Sequence, residues 1–200
     1  MESAAPLSPR MKVLMDASIA VVGAHGTRGL THRAVDREVG LPEGSCSAYL
    51  RTRQALLVAL TRYVAAQLSA DVSELGEELA GCPGDDPRAV EATTRLILKW
   101  LDSPGLVVTR LELATEASRN PELADLFADW RRDLVTLVDD IVAASGKEHS
   151  ASRAETLVAA YDGTLLGALL KPPTERPDYV RDRISMLMGS LATPQTVLES

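Results

Sequence analysis

The sequence predicts an all-α protein, and three observations support that class. Apolar residues recur at three- and four-residue steps in almost every segment, which is the spacing of a helix with one buried face. No segment shows the apolar–polar alternation, or the β-branched clusters bounded by glycine, that are typical of strands. Breaks containing proline and glycine separate the periodic segments. We therefore expect helices throughout, joined by turns and loops.

The first predicted helix covers residues 9–25. Ser8 can accept a hydrogen bond as an N-cap, and Pro9 is tolerated in a first helical turn. Gly26 supplies a stop signal, since glycine accepts the left-handed conformation that closes many helices. One apolar face is formed by residues at helical spacing, namely Leu14, Met15, Ser18, Ile19 and Val22.

Two short helices are predicted next. Thr31 is suited to be the N-cap of a helix that continues to Val39, and residues 40–42 (Gly-Leu-Pro) then break it. A third helix is predicted from Pro42 to about Leu50. Two short helices around a glycine-containing turn indicate a helix-turn-helix. A fourth helix is predicted from about residue 52, with its apolar positions at Leu56, Leu57, Leu60, Val64 and Leu68.

The strongest break in the chain covers residues 81–87 and predicts a loop. Beyond it we expect five more helices, separated by proline, glycine and asparagine residues. Their predicted ranges are 87–102, 105–118, 121–144, 151–170 and 177–191.

Length and composition limit the class of protein. A chain of 200 residues suits one compact domain, or a small domain fused to a larger one. Hydrophobic residues make up 46% and charged residues 24%, which excludes wholesale disorder. Cys46 and Cys82 are too few for a disulfide framework, and neither a signal peptide nor a membrane-spanning apolar run is expected. We therefore predict a cytoplasmic protein that does not enter a membrane.

The net charge of −7 is unevenly distributed. Residues 1–56 hold seven Lys/Arg and five Asp/Glu, a balance of +2, and the remaining residues have a balance of −9. Because nucleic acids attract positive charge, any DNA contact is expected at the N-terminal end.

Catalytic and metal-binding patterns are not found in the sequence. His25, His32 and His149 are the three histidines, and the two cysteines lack ligand-like spacing. No nucleophile motif or glycine-rich phosphate loop occurs. We expect no enzymatic activity, no cofactor and no metal, although an enzyme remains the first alternative from another class.

Residues 13–57 carry an ordered set of features that resembles the DNA-binding domain of TetR-family regulators. The features are an apolar helix ending at His25-Gly26, Leu30-Thr31 opening the second helix, Gly40-Leu41 at the turn, Gly44-Ser45 in the third helix, Tyr49, and residues 53–57 (Arg-Gln-Ala-Leu-Leu) opening the fourth. The resemblance implies an N-terminal three-helix DNA-binding domain at 1–56. It further implies a larger helical ligand-binding and dimerisation domain at 57–200.

The resemblance also implies that the third helix lies in the major groove. Short polar side chains on that helix suit a close approach to the duplex, and Thr31 at a helix N-terminus can bind phosphate. Tyr49 and Arg53 are phosphate clamps by family position. The alternatives are that Cys46 is a small helix residue and Tyr49 a partly buried aromatic. The predicted DNA-binding set is Thr31, His32, Arg33, Glu43, Gly44, Ser45, Cys46, Ser47, Tyr49 and Arg53.

Four positions depart from the family pattern. Ser47 and Ala48 stand where the family usually has a tyrosine and another aromatic or histidine, and Leu50 replaces a common phenylalanine. Asp36 stands where a small alanine is frequent, at a close helix contact. These departures predict an unusual operator sequence.

For the second domain, the resemblance implies a small-molecule pocket and a dimer interface built from the last two helices. Gly163, Gly167 and Ala168 are small residues that would let a partner helix approach. The predicted ligand-binding residues are Leu96, Trp100, Leu111, Glu112, Thr115, Phe127, Trp130, Leu134, Tyr161, Asp162 and Leu165. The aromatic members could equally be plain core, and the two acidic members could be ordinary surface residues.

The function implied is that of a ligand-responsive transcriptional regulator, with a repressor as the first expectation. A homodimer would bind a pseudo-palindromic double-stranded DNA operator, and an unknown small-molecule effector would release it. A helical binding or adaptor protein of the same shape, without specific DNA recognition, is the alternative. An activator also stays open.

Overall fold

The computed structural model describes residues 7–81, 84 and 86–191. Every regular element within these residues is helical, which confirms the predicted all-α class. The helices are α1 (Pro9–Gly29), α2 (His32–Glu38), α3 (Ser45–Tyr49), α4 (Arg53–Ala80), α5 (Asp86–Asp102), α6 (Gly105–Ala117), α7 (Pro121–Ala144), α8 (Ala151–Leu169) and α9 (Arg176–Leu191). A short 3₁₀ turn, Pro173–Glu175, precedes α9.

Most helix ends lie within two residues of the prediction, and two differ by more. The expected stop at Gly26 is a kink, with a φ of 66°, and one further helical turn follows it. Helix α1 therefore ends at Gly29 instead of residue 25. Helix α3 begins at Ser45 instead of residue 42, because a turn precedes it and Gly44 adopts a φ of 96°. Residues 82, 83 and 85 of the predicted loop, including Cys82, lie outside the described residues.

The chain forms two compact units. The first comprises residues 1–66 and 105–128, and the second comprises residues 67–104 and 129–200. Helix α4 contributes its first half to one unit and its second half to the other. The predicted boundary at residue 56 separates a DNA-binding domain from a ligand-binding domain, and it stays a prediction. The two compact units are divided differently, because the first unit also includes α6 and the start of α7.

The core of the first unit lies between α1, α2, α4 and α6. Its fully buried side chains include Leu14, Met15, Leu30, Val35, Leu56, Leu57, Leu60 and Leu113. Tyr63 of α4 donates a hydrogen bond of 2.6 Å to Asp16 of α1. Burial, together with that bond, raises the pKa of the Tyr63 phenol, so the phenol stays protonated and keeps donating.

The second unit packs α5, α8 and α9 around a separate apolar core. Its buried members include Ile97, Leu101, Leu157, Val158, Val180 and Ile184. Asp71 of α4 accepts hydrogen bonds from the Trp100 indole (2.6 Å) and the Lys99 ammonium (2.7 Å), both on α5. The Tyr179 ring of α9 lies against Gly167 of α8, where a larger residue would meet the phenol oxygen.

Helix α4 corrects one expectation from the sequence. By length and composition it could cross a membrane, although no such segment was expected. Its predicted core positions Leu56, Leu57, Leu60, Val64 and Leu68 are all buried inside the protein. A long apolar helix whose apolar face is buried in this way is typical of the central helix of a folded domain.

Candidate nucleic-acid interface

The turn between α2 and α3 brings two helix ends to one region of the first unit. The Thr31 hydroxyl accepts a hydrogen bond of 3.1 Å from the Ala34 N–H and caps α2, as predicted. Gly40 adopts a φ of 65°, which ends α2 and lets the Leu41 N–H reach the Asp36 carbonyl at 2.8 Å. These local features form the helix-turn-helix.

The start of α3 is held by a side chain from α2. The two carboxylate oxygens of Asp36 accept hydrogen bonds from the Gly44 N–H at 2.9 Å and the Cys46 N–H at 2.7 Å. Asp36 is 1% exposed. The residue that departs from the family pattern at this close contact therefore caps the third helix.

The outer face of α3 carries small polar side chains and one aromatic. Tyr49 is 52% exposed, so about half of its surface is available for contacts. Ala48 is also exposed. The hydroxyls of Ser45 and Ser47 donate to the carbonyls of Pro42 (2.7 Å) and Gly44 (3.0 Å). Both hydroxyls keep acceptor lone pairs for a donor on a base or a water.

Cys46 lies beneath this face. Its side chain is fully buried, so it packs within the unit and does not extend from the surface. Burial, and secondarily the nearby Asp36 charge, raises the pKa of the thiol to about 11. The thiol is therefore protonated at neutral pH, in line with a small helix residue.

Three of the other predicted contact residues are engaged within the protein. The His32 Nε2 atom lies 2.5 Å from the Leu50 carbonyl oxygen, which ties the start of α2 to the end of α3. Arg33 and Glu43 form an exposed ion pair at 3.6 Å. A pair with both side chains in solvent contributes little to stability, so either partner can exchange it for another contact.

Arg53 has internal partners as well. Its guanidinium donates to the Thr27 carbonyl at 2.8 Å and lies 3.8 Å from the Glu116 carboxylate. The N–H of Thr27 in turn donates to the Glu112 carboxylate at 3.1 Å. The backbone of Thr27 is thus held from α4 on one side and from α6 on the other.

The sequence reasoning missed two of these functional features. It treated Asp36 as a departure from the family and did not identify it as the cap of α3. It also did not single out Thr27. The available signal for Asp36 was its position directly after Val35, a predicted inward-facing residue of a short helix. A carboxylate that is buried there requires hydrogen-bond donors nearby.

The predicted ligand-binding residues divide between the two units. Four lie in the first unit: Leu111, Glu112, Thr115 and Phe127. Glu112 is explained there by its bond to Thr27, and the exposed Thr115 hydroxyl donates to the Leu111 carbonyl at 2.9 Å.

The other seven predicted ligand residues lie in the second unit: Leu96, Trp100, Trp130, Leu134, Tyr161, Asp162 and Leu165. Trp130 donates to the Ser69 hydroxyl at 3.0 Å, and Asp162 pairs with Arg131 at 3.1 Å. Burial raises the pKa of the Tyr161 phenol, so this group is neutral.

An exposed small and apolar face runs along α8 in the second unit. Ala159, Gly163, Leu166 and Leu170 lie at helical spacing and are exposed, and Leu170 is 82% exposed. On α9, Met186 is 61% exposed. A side chain added at Gly163 or Gly189 would meet no atom within 4 Å, so both glycines face open space.

An N-terminal helix-turn-helix followed by a larger helical unit defines a class of all-helical DNA-binding regulators. Residues 84–190 match the family model described as the tetracyclin repressor-like C-terminal domain. The chain belongs to the TetR family of transcriptional regulators, whose members are DNA-binding proteins and not enzymes.

Solved structures agree with this assignment. A TetR-family member from Streptomyces coelicolor A3 is 30% identical, with a TM-score of 0.68 over 90% of this chain and 98% of that chain. The multidrug binding protein EbrR, complexed with imidazole, is 28% identical, with a TM-score of 0.66 over 97% of this chain and 100% of that one. A transcriptional regulator from Rhodococcus sp. Rha1 shares the fold at 22% identity, with a TM-score of 0.76 over 90% of this chain and 95% of that chain. A comparison with curated protein sequences gave no match.

Proposed function

We propose that this TetR-family regulator is a cytoplasmic, homodimeric repressor that a small molecule releases from its operator. The observation that carries the DNA part is the outer face of α3, where exposed Ala48 and Tyr49 lie beside the serine hydroxyls. Its low bulk suits close contact with base edges, and Tyr49 and Thr31 offer hydroxyls to phosphates.

Arg53 is assigned a supporting role in this proposal. Its guanidinium already bonds to the Thr27 carbonyl and lies beside Glu116. Cys46 supports α3 from below, because its side chain is fully buried. The residues proposed to touch DNA are the other exposed or partly exposed members of the predicted set, namely Thr31, Arg33, Glu43, Gly44, Ser45, Ser47 and Tyr49. His32 orients the start of α2.

The DNA part is tested by selecting duplexes from a random pool with the purified protein, and by binding to the DNA upstream of its own gene. Ala48→Glu places a negative charge on the outer face of α3, and Ala128→Glu makes the same change at an exposed position on α7. We expect Ala48→Glu alone to abolish specific binding. If the wild-type protein selects no duplex, the repressor proposal fails and the helical adaptor takes its place.

Dimerisation is proposed to involve the exposed face of α8 and α9. A stripe of small and apolar residues that faces open space suits a second copy of the same face. We expect Leu166→Glu to convert the protein to monomers in sedimentation experiments, while Ala80→Glu, at an exposed site on α4, leaves the dimer intact. A dimeric Leu166→Glu protein would contradict this interface.

The effector is proposed to bind the second unit near Tyr161, with aromatic residues as apolar walls. A neutral buried phenol is a suitable anchor for an otherwise apolar ligand. Support comes from EbrR complexed with ethidium, which is 29% identical over 90% of this chain. Ligand binding would act on DNA through α4, since this single helix contributes to both units.

Ethidium is a direct probe for the effector site. Calorimetric titration without DNA avoids intercalation of the dye into a duplex. We expect binding by the wild-type protein, weaker binding by Tyr161→Phe, and unchanged binding by Tyr49→Phe, which alters a tyrosine of the other unit. Equal ethidium affinity in Tyr161→Phe would exclude the phenol from the site.

A further inference from the structure

Asp36 is a buried carboxylate that does not reach the surface of the interface. Asp36 lies on α2 with 1% exposure, and both of its oxygens bond to backbone N–H groups at the start of α3. Within the part of the chain that the structure describes, no ion pair to Asp36 is found. Its charge is therefore compensated by the N–H groups of Gly44 and Cys46.

We propose that Asp36 is the positioning residue of the recognition helix. Its carboxylate fixes where α3 begins and how it is oriented, so that DNA affinity depends on a side chain that cannot touch DNA. This inference rests on the proposed role of α3 in DNA contact.

The length of α3 is the first reason for this inference. The helix has five residues, Ser45–Tyr49, and so short a helix is not stable on its own. Its N-cap is Gly44, which has no side chain to accept from the first N–H groups. Asp36 supplies that acceptor from eight and ten residues earlier in the chain.

The two-point geometry is the second reason. Two oxygens bound to Gly44 and Cys46 define both the position and the direction of the start of α3, while the contact between His32 and the Leu50 carbonyl ties its end. Burying a carboxylate is costly unless its bonds persist, so the packed state strongly favours this one arrangement. Cys46 also contributes, because its small side chain is fully buried beside the carboxylate.

One consequence concerns phosphate contacts. The N–H groups of Gly44 and Cys46 are already bonded to Asp36, so a DNA phosphate cannot use them. Phosphate anchoring is then assigned to other groups, such as the hydroxyls of Thr31 and Tyr49.

The test compares Asp36→Asn with Val35→Ala, on a duplex that the wild-type protein selects from a random pool. An asparagine amide has one acceptor oxygen and one NH₂ donor, so one backbone N–H would face a donor. Val35→Ala removes buried apolar volume from the same helix and leaves the carboxylate in place. We expect Asp36→Asn to lose about tenfold or more in affinity, and Val35→Ala to lose less than about threefold at a temperature where both are folded. Similar losses in the two variants would overturn the proposal.

Amide hydrogen exchange tests the same inference without DNA. In the wild-type protein, the N–H groups of Gly44 and Cys46 should be protected from exchange, because both are bonded to the buried Asp36 carboxylate. In Asp36→Asn, protection should fall in residues 44–49 and persist in α1 and α4. Rapid exchange of Gly44 and Cys46 in the wild-type protein would overturn the proposal even if the variant does not fold. Failure of the wild-type protein to select DNA would instead count against the proposed function, and the exchange result would then decide the role of Asp36.

Discussion

The carboxylate of Glu112 on α6 accepts a hydrogen bond of 3.1 Å from the backbone N–H of Thr27, just after the kink of α1 at Gly26. The kink leaves this N–H without a partner in its own helix, and Thr27 is buried. A buried N–H requires an acceptor, and Glu112 provides it from 85 residues away in the chain.

Glu112→Ala should therefore destabilise the first unit, because it leaves the Thr27 N–H unbonded. The expected loss is about 1–3 kcal/mol in the free energy of unfolding, measured by urea denaturation. Glu112→Gln keeps an acceptor oxygen at the same reach and should cost less than Glu112→Ala. Equal losses in the two variants would show that the hydrogen bond is not what Glu112 contributes.

Arg53→Ala should weaken DNA binding without changing its dependence on salt. The guanidinium holds the Thr27 carbonyl, so its removal disturbs the protein and does not remove a phosphate contact. Affinity measured at several salt concentrations gives the slope of log K against log salt, which a lost phosphate contact would reduce by about 1. A reduced slope would restore Arg53 to the set of phosphate clamps.

The Cys46 thiol should contribute to stability below pH 9 and lose that contribution as the pH rises towards 11. Its pKa is raised from 9.0 to about 11 in the folded protein, so the native state retains the proton while unfolded chains lose it. Between these values the stability advantage of the wild-type protein over Cys46→Ala should decrease. Urea denaturation at pH 8 and pH 11 measures it, and an unchanged difference would contradict this linkage.

The same thiol should resist alkylation at pH 8 in the native protein and react after denaturation. Peptide-resolved mass spectrometry separates Cys46 from Cys82, which lies outside the described residues. Rapid modification of Cys46 in the native protein would contradict its burial.

Gly167→Ala should destabilise the second unit, because a Cβ atom at residue 167 would overlap the Tyr179 phenol oxygen. Overpacking of this kind costs about 1–3 kcal/mol. Thermal unfolding of the wild-type protein and the variant at fixed protein concentration measures the loss.

A second substitution identifies the cause of that loss. In a Tyr179→Ala background, the further change Gly167→Ala should cost much less, because the ring that it would contact is gone. A cost that persists in this background would locate the strain elsewhere on α8.

The sequence determined the helices and the helix-turn-helix because these depend on local signals. Ser8 and Thr31 cap α1 and α2 as predicted, since an N-cap bonds to an N–H three residues later. Apolar periodicity also identified the buried positions of α4. The two largest errors in helix ends, at α1 and α3, both occur next to glycines with positive φ, where a local stop signal does not fix the exact residue.

The tertiary structure decided which backbone groups the polar side chains reach and which side chains are buried. Asp36 caps α3, Arg53 and Glu112 hold Thr27, and Cys46 is buried below the outer face, although all but Asp36 were expected to contact DNA or a ligand. These partners lie between 8 and 85 residues apart in the chain. The sequence shows that a carboxylate or guanidinium is present. Only the packing of the helices determines which backbone N–H or carbonyl that group reaches.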